Sequence, residues 1–361
     1  RSGGSFGSIG NGSSYCSVFF IYLLFYGSHG ERIYLIYIKI NKLKSLVFCI
    51  RKYFSVFYNF FKFSTVSLLT HYLRTLLMDT LVQQTVNGLM LGSIYALIAL
   101  GYTMVYGILR IINFAHGDVL MVGALSALSA IGVLQHHFPA LSPYATLLLA
   151  ALFAMAVCAI TSMAIERLAY RRLRNAPRLA PLISGIGISL LLQTLAMLIW
   201  SRNPLMFPQL LPMAPIALTA GSAEHAPTVI TGTAIVTLAV AVAVMAGLWL
   251  LVEHSRFGRA MRATAENPQV AGLMGISPDR IIVLTFALGG ALAAVAGIMM
   301  ASNYGNAGFS MGFLPGIKAF TAAVLGGIGN LRGAMLGGLL LGLFESLGTG
   351  YLGELTGGVF G

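Results

Sequence analysis

Apolar residues run along this chain in blocks too long and too continuous for a water-soluble core. Uncharged or nearly uncharged stretches cover 81–109, 111–134, 144–165, 182–200, 229–252 and 281–302, and a glycine-rich apolar region follows over 312–353. A helix of about 20 apolar residues matches the ~30 Å hydrocarbon core of a bilayer. Backbone groups in lipid must be hydrogen-bonded within the protein, so stretches of this length are helices. The short alternating segments of a membrane β-barrel are absent. The pattern predicts an all-α integral membrane protein, a polytopic helical bundle of about seven or eight spans.

Charge then sets the sidedness. The connection 166–181 carries Arg167, Arg171, Arg172, Arg174 and Arg178, and the connection 253–280 carries Arg256, Arg259, Arg262 and Arg280. The segment between them, 201–228, has one arginine and several prolines. Cytoplasmic loops concentrate Lys and Arg, which puts both basic connections in the cytoplasm and 201–228 outside. The same parity places 135–143 outside and Arg110 inside. A single unbroken first span then leaves Met78 outside.

Composition agrees with the pattern: 57% of residues are hydrophobic and only 9% charged, against roughly 25% charged in soluble domains. The formal net charge of +12 is concentrated at one end. Residues 1–77 carry a net +8 and residues 78–361 a net +4. No basic face survives in the main body, which argues against nucleic-acid binding. The first 77 residues contain no Ala, Pro or Met but five of the six lysines. They read as an atypical N-terminal segment, either a translated upstream region with Met78 as the true start or a disordered extension. Cys16, Cys49 and Cys158 show no disulfide or metal spacing, and Cys158 inside an apolar stretch reads as a small packing residue.

Several polar residues fall at membrane depth. The run Asn113, Phe114, Ala115, His116, Gly117, Asp118 opens the second span, because residues 119–134 alone cover only about 24 Å. Ionisable groups at that depth are costly and default to a functional role. Asn113, His116 and Asp118 are therefore candidates for a translocation path. They fit equally a helix-start cap, with Asn113 as N-cap and Asp118 at the positive end of the helix dipole. Lys318 and Arg332 bracket thirteen uncharged residues, 319–331, too short to cross a bilayer and interrupted by Gly-Gly-Ile-Gly-Asn at 326–330. A discontinuous helix there, or a short span and a tight turn, are the two readings. Lys318 and Glu345 join the path candidates, Glu345 either inside the bundle or near a span end. Glycines at 329, 333 and 337, and at 338 and 342, recur every four residues, a spacing that lets helices approach closely.

No nucleophile–base pair, paired carboxylates or metal-ligand spacing is evident, and no phosphate-cradling loop is present. The sequence reads as a transporter subunit without a cofactor, not an enzyme, with any ATP hydrolysis on a separate chain. The patterned basic stretch 253–276 looks built to meet a soluble partner.

From residue 78 onward the chain resembles the permease subunits of bacterial ABC importers for branched-chain amino acids. The resemblance rests on 88–107 (GLMLGSIYALIALGYTMVYG), 112–117 (INFAHG), 165–171 (IERLAYR), 258–266 (GRAMRATAE) with 273–276 (LMGI), and 316–329 (GIKAFTAAVLGGIG). It implies a bacterial inner-membrane permease that pairs with a second permease subunit, as a heterodimer, and works with cytoplasmic ATP-binding subunits and a periplasmic amino-acid-binding protein. It also implies that part of 253–276 is the ATPase-coupling segment, with Arg259, Arg262, Ala263, Glu266, Asn267, Pro268 and Gly275 on it. Residues 1–77 match nothing in that family. Such permeases usually continue past the position of Leu352 into another apolar span, so this chain reads as truncated at its C-terminus. Urea or short-chain amide permeases share the architecture, and Phe114 in the INFAHG run leans toward amino acids. An ion-coupled secondary transporter would show internal repeats and more buried carboxylates, and neither is evident.

Overall fold

The computed structural model describes residues 80–355 except 175, 178, 211–214 and 218–228. The atypical segment 1–77, with Cys16 and Cys49, and Met78, the start expected on one reading, lie outside the described residues, as do Arg178, most of 211–228 and the tail beyond 355.

Among the described residues, seven helices are long and apolar enough to cross a membrane: α1 (Thr80–Leu109), α2 (His116–His137), α3 (Pro143–Leu173), α4 (Leu179–Ile199), α5 (Gly232–His254), α8 (Pro278–Tyr304) and the bulk of α10 (Leu331–Leu355). Between α5 and α8 lie two short helices, α6 (Arg256–Glu266) and α7 (Pro268–Leu273), and α9 (Phe313–Leu325) precedes α10. Two antiparallel two-residue ladders close the structure at one end: β1 (Leu205–Met206) pairs with β4 (Asn306–Ala307), and β2 (Ile216–Ala217) with β3 (Val229–Ile230).

α1, α2 and α8 are mostly buried and form the centre, while α3, α4, α5 and α10 expose most of their surface. Leu148, Leu152, Ile160, Leu190, Leu198 and Leu336 all point outward, as expected where the surrounding medium is lipid. The boundaries follow local chemistry. Ser142 caps α3, its hydroxyl accepting from the Ala145 amide at 3.3 Å, with Pro143 at the first helical position.

Contacts between distant loops agree with the sidedness expected from charge. Leu205 pairs with Ala307, so the segment after α4 and the segment after α8 share a face. Arg171 and Arg174 meet Asp279 at the start of α8, so the two basic connections share the other. Gln83 exchanges hydrogen bonds with Val229 at 2.9 and 3.2 Å, which puts the start of the unbroken α1 beside the start of α5.

The 312–353 region contains the helix break expected near 319–331, and its first helix starts upstream of that stretch. That helix begins at Phe313, carries Lys318 in its second turn and stops at Leu325. Residues 326–330 are a turn in which Gly327 and Gly329 adopt φ of 88° and 96°, conformations that side chains with a Cβ resist. Asn330 then caps α10, accepting from the amides of Arg332 and Gly333 at 3.1 and 3.3 Å. The short-span-and-turn reading describes 326–330, and α9 at 13 residues covers only about 20 Å.

The two glycine series lie on different faces of α10. Gly333 and Gly337 lie against Gly326 and Ala322 at the end of α9, whereas Gly338 and Gly342 lie against Ala96 and Gly92 of α1. A Cβ on Gly92 would sit 2.8 Å from the Leu339 Cα, and one on Gly342 would overlap the Gly92 backbone. Gly348 has open space around it. Gly342→Leu is therefore expected to destabilise the bundle by more than the ~1–3 kcal/mol of ordinary overpacking, seen as a several-fold loss of monodisperse protein in detergent, while Gly348→Leu behaves as the native chain. Equal yields would remove the close α1–α10 approach.

Candidate functional site

The first cluster of candidate residues closes the break between α1 and α2. α1 ends where Arg110 takes a φ of 52°, and residues 110–115 are not helical. The carboxamide of Asn113 is buried, and its Oδ1 accepts from the Ala115 amide at 3.2 Å and from the Tyr170 hydroxyl at 3.1 Å. The Asn113 carbonyl accepts from the His116 amide at 3.1 Å. Asn113 thus holds the turn ahead of α2; the N-cap position is Ala115, because the turn adds two residues before helical geometry starts.

His116 enters the bundle. Its ring packs on Gly101, where a Cβ would overlap the imidazole, and edge-on to Tyr102 with centroids 4.9 Å apart. Gly101 lies about two turns from the end of α1, so the imidazole sits ~12 Å along that helix. Its Nε2 has no hydrogen-bond partner among the described residues. Asp118 is 1% exposed and faces α4, where the Ser189 hydroxyl donates to one carboxylate oxygen and the Gln193 amide to the other, at 3.0 Å for Gln193. Its carboxyl group therefore tethers two helices as well as lying in the first turn of α2.

The second cluster joins the other two candidates. Lys318 of α9 donates to Glu345 of α10 at 2.5 Å, and the Tyr95 hydroxyl of α1 donates to the same carboxylate at 3.1 Å. The Lys318 ammonium also lies 6.0 Å from the Tyr95 ring centre. Tyr95 is about four turns from the end of α1, which places this cluster ~20 Å from that end, near the middle of the 30-residue helix. The Lys318 and Glu345 side chains are 42% and 27% exposed, so the pair faces out of the single chain rather than into its core. Phe320, two residues on, meets Phe114 at 5.8 Å and Tyr102 at 6.1 Å, linking the two clusters through α9.

The third group lies on the segment between α5 and α8 that charge assigns to the cytoplasm. Ser255 caps α6 through the Gly258 amide at 3.0 Å, and Asn267 caps α7 through the amides of Gln269 and Val270 at 3.0 and 3.2 Å. Pro268 starts α7, and Gly275, with φ 82°, ends the segment. Arg262 reaches back to the Val252 and Glu253 carbonyls at 2.6 and 3.3 Å, and Arg259 to the His254 carbonyl at 3.4 Å. Terminal carbonyls of a helix lack intrahelical partners and favour cations, so both arginines fasten α6 to the end of α5. Ala263 is half-buried, whereas Glu266, Asn267, Pro268 and Gly275 are exposed. Beyond α7 the chain is anchored again: Arg174 bridges Asp279 at 2.6 Å and the buried Glu166, and Arg171 also pairs with Asp279. Glu166 opens a widened helical turn, Glu166–Tyr170, of the π type that functional sites often contain.

Sequence reasoning missed the partners. Tyr95 and Tyr170 complete the two clusters, and nothing local marks either. Ser189 and Gln193 carried a signal: they are four apart in an uncharged span and so share one helical face. Leu273 and Met274, 87% and 79% exposed, are the most prominent apolar side chains of the cytoplasmic segment.

Comparison with known proteins fits this architecture. The family described as the permease component of branched-chain amino acid transport systems matches residues 84–361. The chain is 48% identical over 274 residues to the high-affinity branched-chain amino acid transport system permease protein BraD of Pseudomonas aeruginosa, covering 76% of this chain and 88% of the relative. It is 44% identical over 279 residues to LivH, the corresponding permease protein of Escherichia coli K12, covering 75% and 87%. A probable branched-chain amino acid permease LivH of Methanocaldococcus jannaschii is 28% identical over 277 residues, covering 75% and 82%. No solved structure matches the chain.

Pairing at mid-depth makes Lys318 and Glu345 energetically coupled. Lys318→Met and Glu345→Gln are each expected to lower thermal stability in detergent more than half as much as the double substitution does, with a coupling energy of about 1–3 kcal/mol from the double-mutant cycle. Additive effects would mean the two charges do not hold one another.

Proposed function

We propose that this chain, which belongs to the family of branched-chain amino acid transport permeases, forms half of a path that carries leucine, isoleucine and valine across the bacterial inner membrane. Membership makes it a multi-pass transport subunit of that membrane and not an enzyme, one that works with ATP-binding and substrate-binding partners. The finer reading is a heterodimer with a second permease, the path running between the two. The kinship with high-affinity branched-chain amino acid permeases carries the choice of cargo.

Within that reading the Lys318–Glu345–Tyr95 cluster faces the path. A zwitterionic amino acid needs an anionic and a cationic partner, and this cluster offers both near mid-membrane on a side the single chain leaves open. Intramembrane charges in transporters characteristically line such routes. Asn113, His116 and Asp118 set the position of α2, against which α9 lies, through Gly117 approaching Gly312 and Gly316. Residues 78–361 act as one permease domain.

Coupling is assigned to the segment from Arg259 to Gly275. Arg259 and Arg262 fix α6 to α5, Asn267 and Pro268 fix the bend into α7, and Glu266, Val270, Leu273 and Met274 present the outer surface. A docking patch with apolar anchors and a polar rim is the usual anatomy of a protein interface. The Arg171–Arg174–Asp279 link carries any displacement of α7 into α3 and α8.

The cargo is tested by reconstituting the importer in vesicles. Radiolabelled leucine uptake is expected to need ATP and to be competed by isoleucine and valine but not by urea or acetamide; competition by the amides would reassign the cargo. Leu273→Asp combined with Met274→Asp is expected to lower ATPase co-purification by at least about tenfold, as loss of interface anchors does, with normal membrane insertion. Co-purification at native yield would move the docking surface elsewhere.

A further inference from the structure

A second set of opposed charges lies at the cytoplasmic mouth, away from the mid-membrane pair. A cleft of about 330 Å³ opens between α1, α5, α6 and the turn into α10, within the size range of small-molecule sites. Two buried polar atoms on its lining, Thr103 Oγ1 and Trp249 Nε1, have no hydrogen-bond partner among the described residues. Buried polar groups are ordinarily paired, and one left unpaired calls for an explanation.

The charges beside these atoms are loosely paired. Glu253 faces Arg332 at 3.7 Å and Arg262 at 3.9 Å, both beyond hydrogen-bond reach. Arg262 is committed to the carbonyls ending α5. Arg332 lies over the Trp249 ring at 5.5 Å and makes a long ion pair with Glu253, a contact that a planar carboxylate on its guanidinium would replace. The remaining wall is apolar, from Ile108, Val252 and Met261. A simple anion would be repelled by Glu253 and a simple cation by Arg332, whereas a zwitterion satisfies both.

We infer that this cleft binds a small zwitterionic amino acid with an apolar side chain from the cytoplasmic side, its carboxylate on Arg332, its ammonium on Glu253 and its side chain against Val252 and Met261. Occupancy bridges α6 to α1 and to the 326–330 turn. If α6 belongs to the coupling segment, as proposed above, accumulated product then brakes the importer; binding itself does not rest on that reading.

The test uses the full chain in lipid nanodiscs with Trp200→Phe, which leaves Trp249 as the sole tryptophan. L-Leucine is expected to change its emission saturably. L-Leucinamide, lacking the carboxylate, and 4-methylpentanoate, lacking the ammonium, are each expected to bind roughly tenfold weaker or worse, the effect of losing one charge-assisted contact. Arg332→Gln and Glu253→Gln, both on the exposed rim, should weaken leucine to the same degree. No saturable change, or equal binding of leucine and its two analogues, overturns the site. Leucine uptake by the native importer with no emission response removes this inference and leaves the proposed function standing, whereas an emission response without uptake does the reverse. In the native importer, leucine preloaded inside vesicles should slow uptake, and Arg332→Gln should relieve that slowing; equal slowing in both contradicts the brake.

Discussion

A connection that enters a membrane has to satisfy its backbone groups from within the protein, because lipid offers no hydrogen bonds. Asn113 meets that constraint between α1 and α2. One side-chain oxygen serves the Ala115 amide and the Tyr170 hydroxyl, and the backbone carbonyl serves His116. Through Tyr170 the turn is fastened to the cytoplasmic end of α3, and through Asp118, two residues into α2, the start of the helix is fastened to Ser189 and Gln193 of α4. The placement of α2 then decides where α9 can lie, since Gly117 leaves room for the α9 backbone at Gly312 and Gly316. Lys318 reaches Glu345 because α9 stands there.

The bundle therefore has two kinds of joint. Close glycine contacts fix α10 to α1 and α9 by shape alone, where dispersion between touching backbones replaces the hydrophobic effect. Polar joints fix the broken and terminal segments, where shape alone would leave groups unsatisfied. On the cytoplasmic side the polar joints form a chain: Arg262 ties α6 to the end of α5, Asn267 sets the bend into α7, and Asp279 ties the start of α8 to Arg171 and Arg174. A partner pressing on Leu273 and Met274 pushes on a segment anchored at both ends.

The spans were legible in the sequence because apolar run length is a local property. Arginine asymmetry also told which connections share a face, and the Leu205–Ala307 ladder and the Arg174–Asp279 bridge agree with that grouping. The glycine spacing also read correctly as packing, although not which face met which helix. The start of α9 at Phe313 was not legible, since it depends on the α2 surface it packs against rather than on the residues around it. The candidate residues Asn113, His116, Asp118, Lys318 and Glu345 stood out because polar groups are rare among apolar ones. Their partners did not, because Tyr95 and Tyr170 are ordinary tyrosines until the fold brings them within reach. The inward turn of Arg259 and Arg262 was equally invisible, since the α5 carbonyls they serve exist only at a helix end.

The central claim is that the Lys318–Glu345–Tyr95 cluster faces the amino-acid path. An electron cryo-microscopy map of the importer assembled with its partners and trapped with bound leucine tests it most directly. The account predicts a lumen between the permease subunits lined by Lys318, Glu345 and Tyr95, with the amino acid in contact with that cluster. A map in which the three side chains are sealed within a helix interface or covered by lipid, with leucine passing elsewhere, would contradict it.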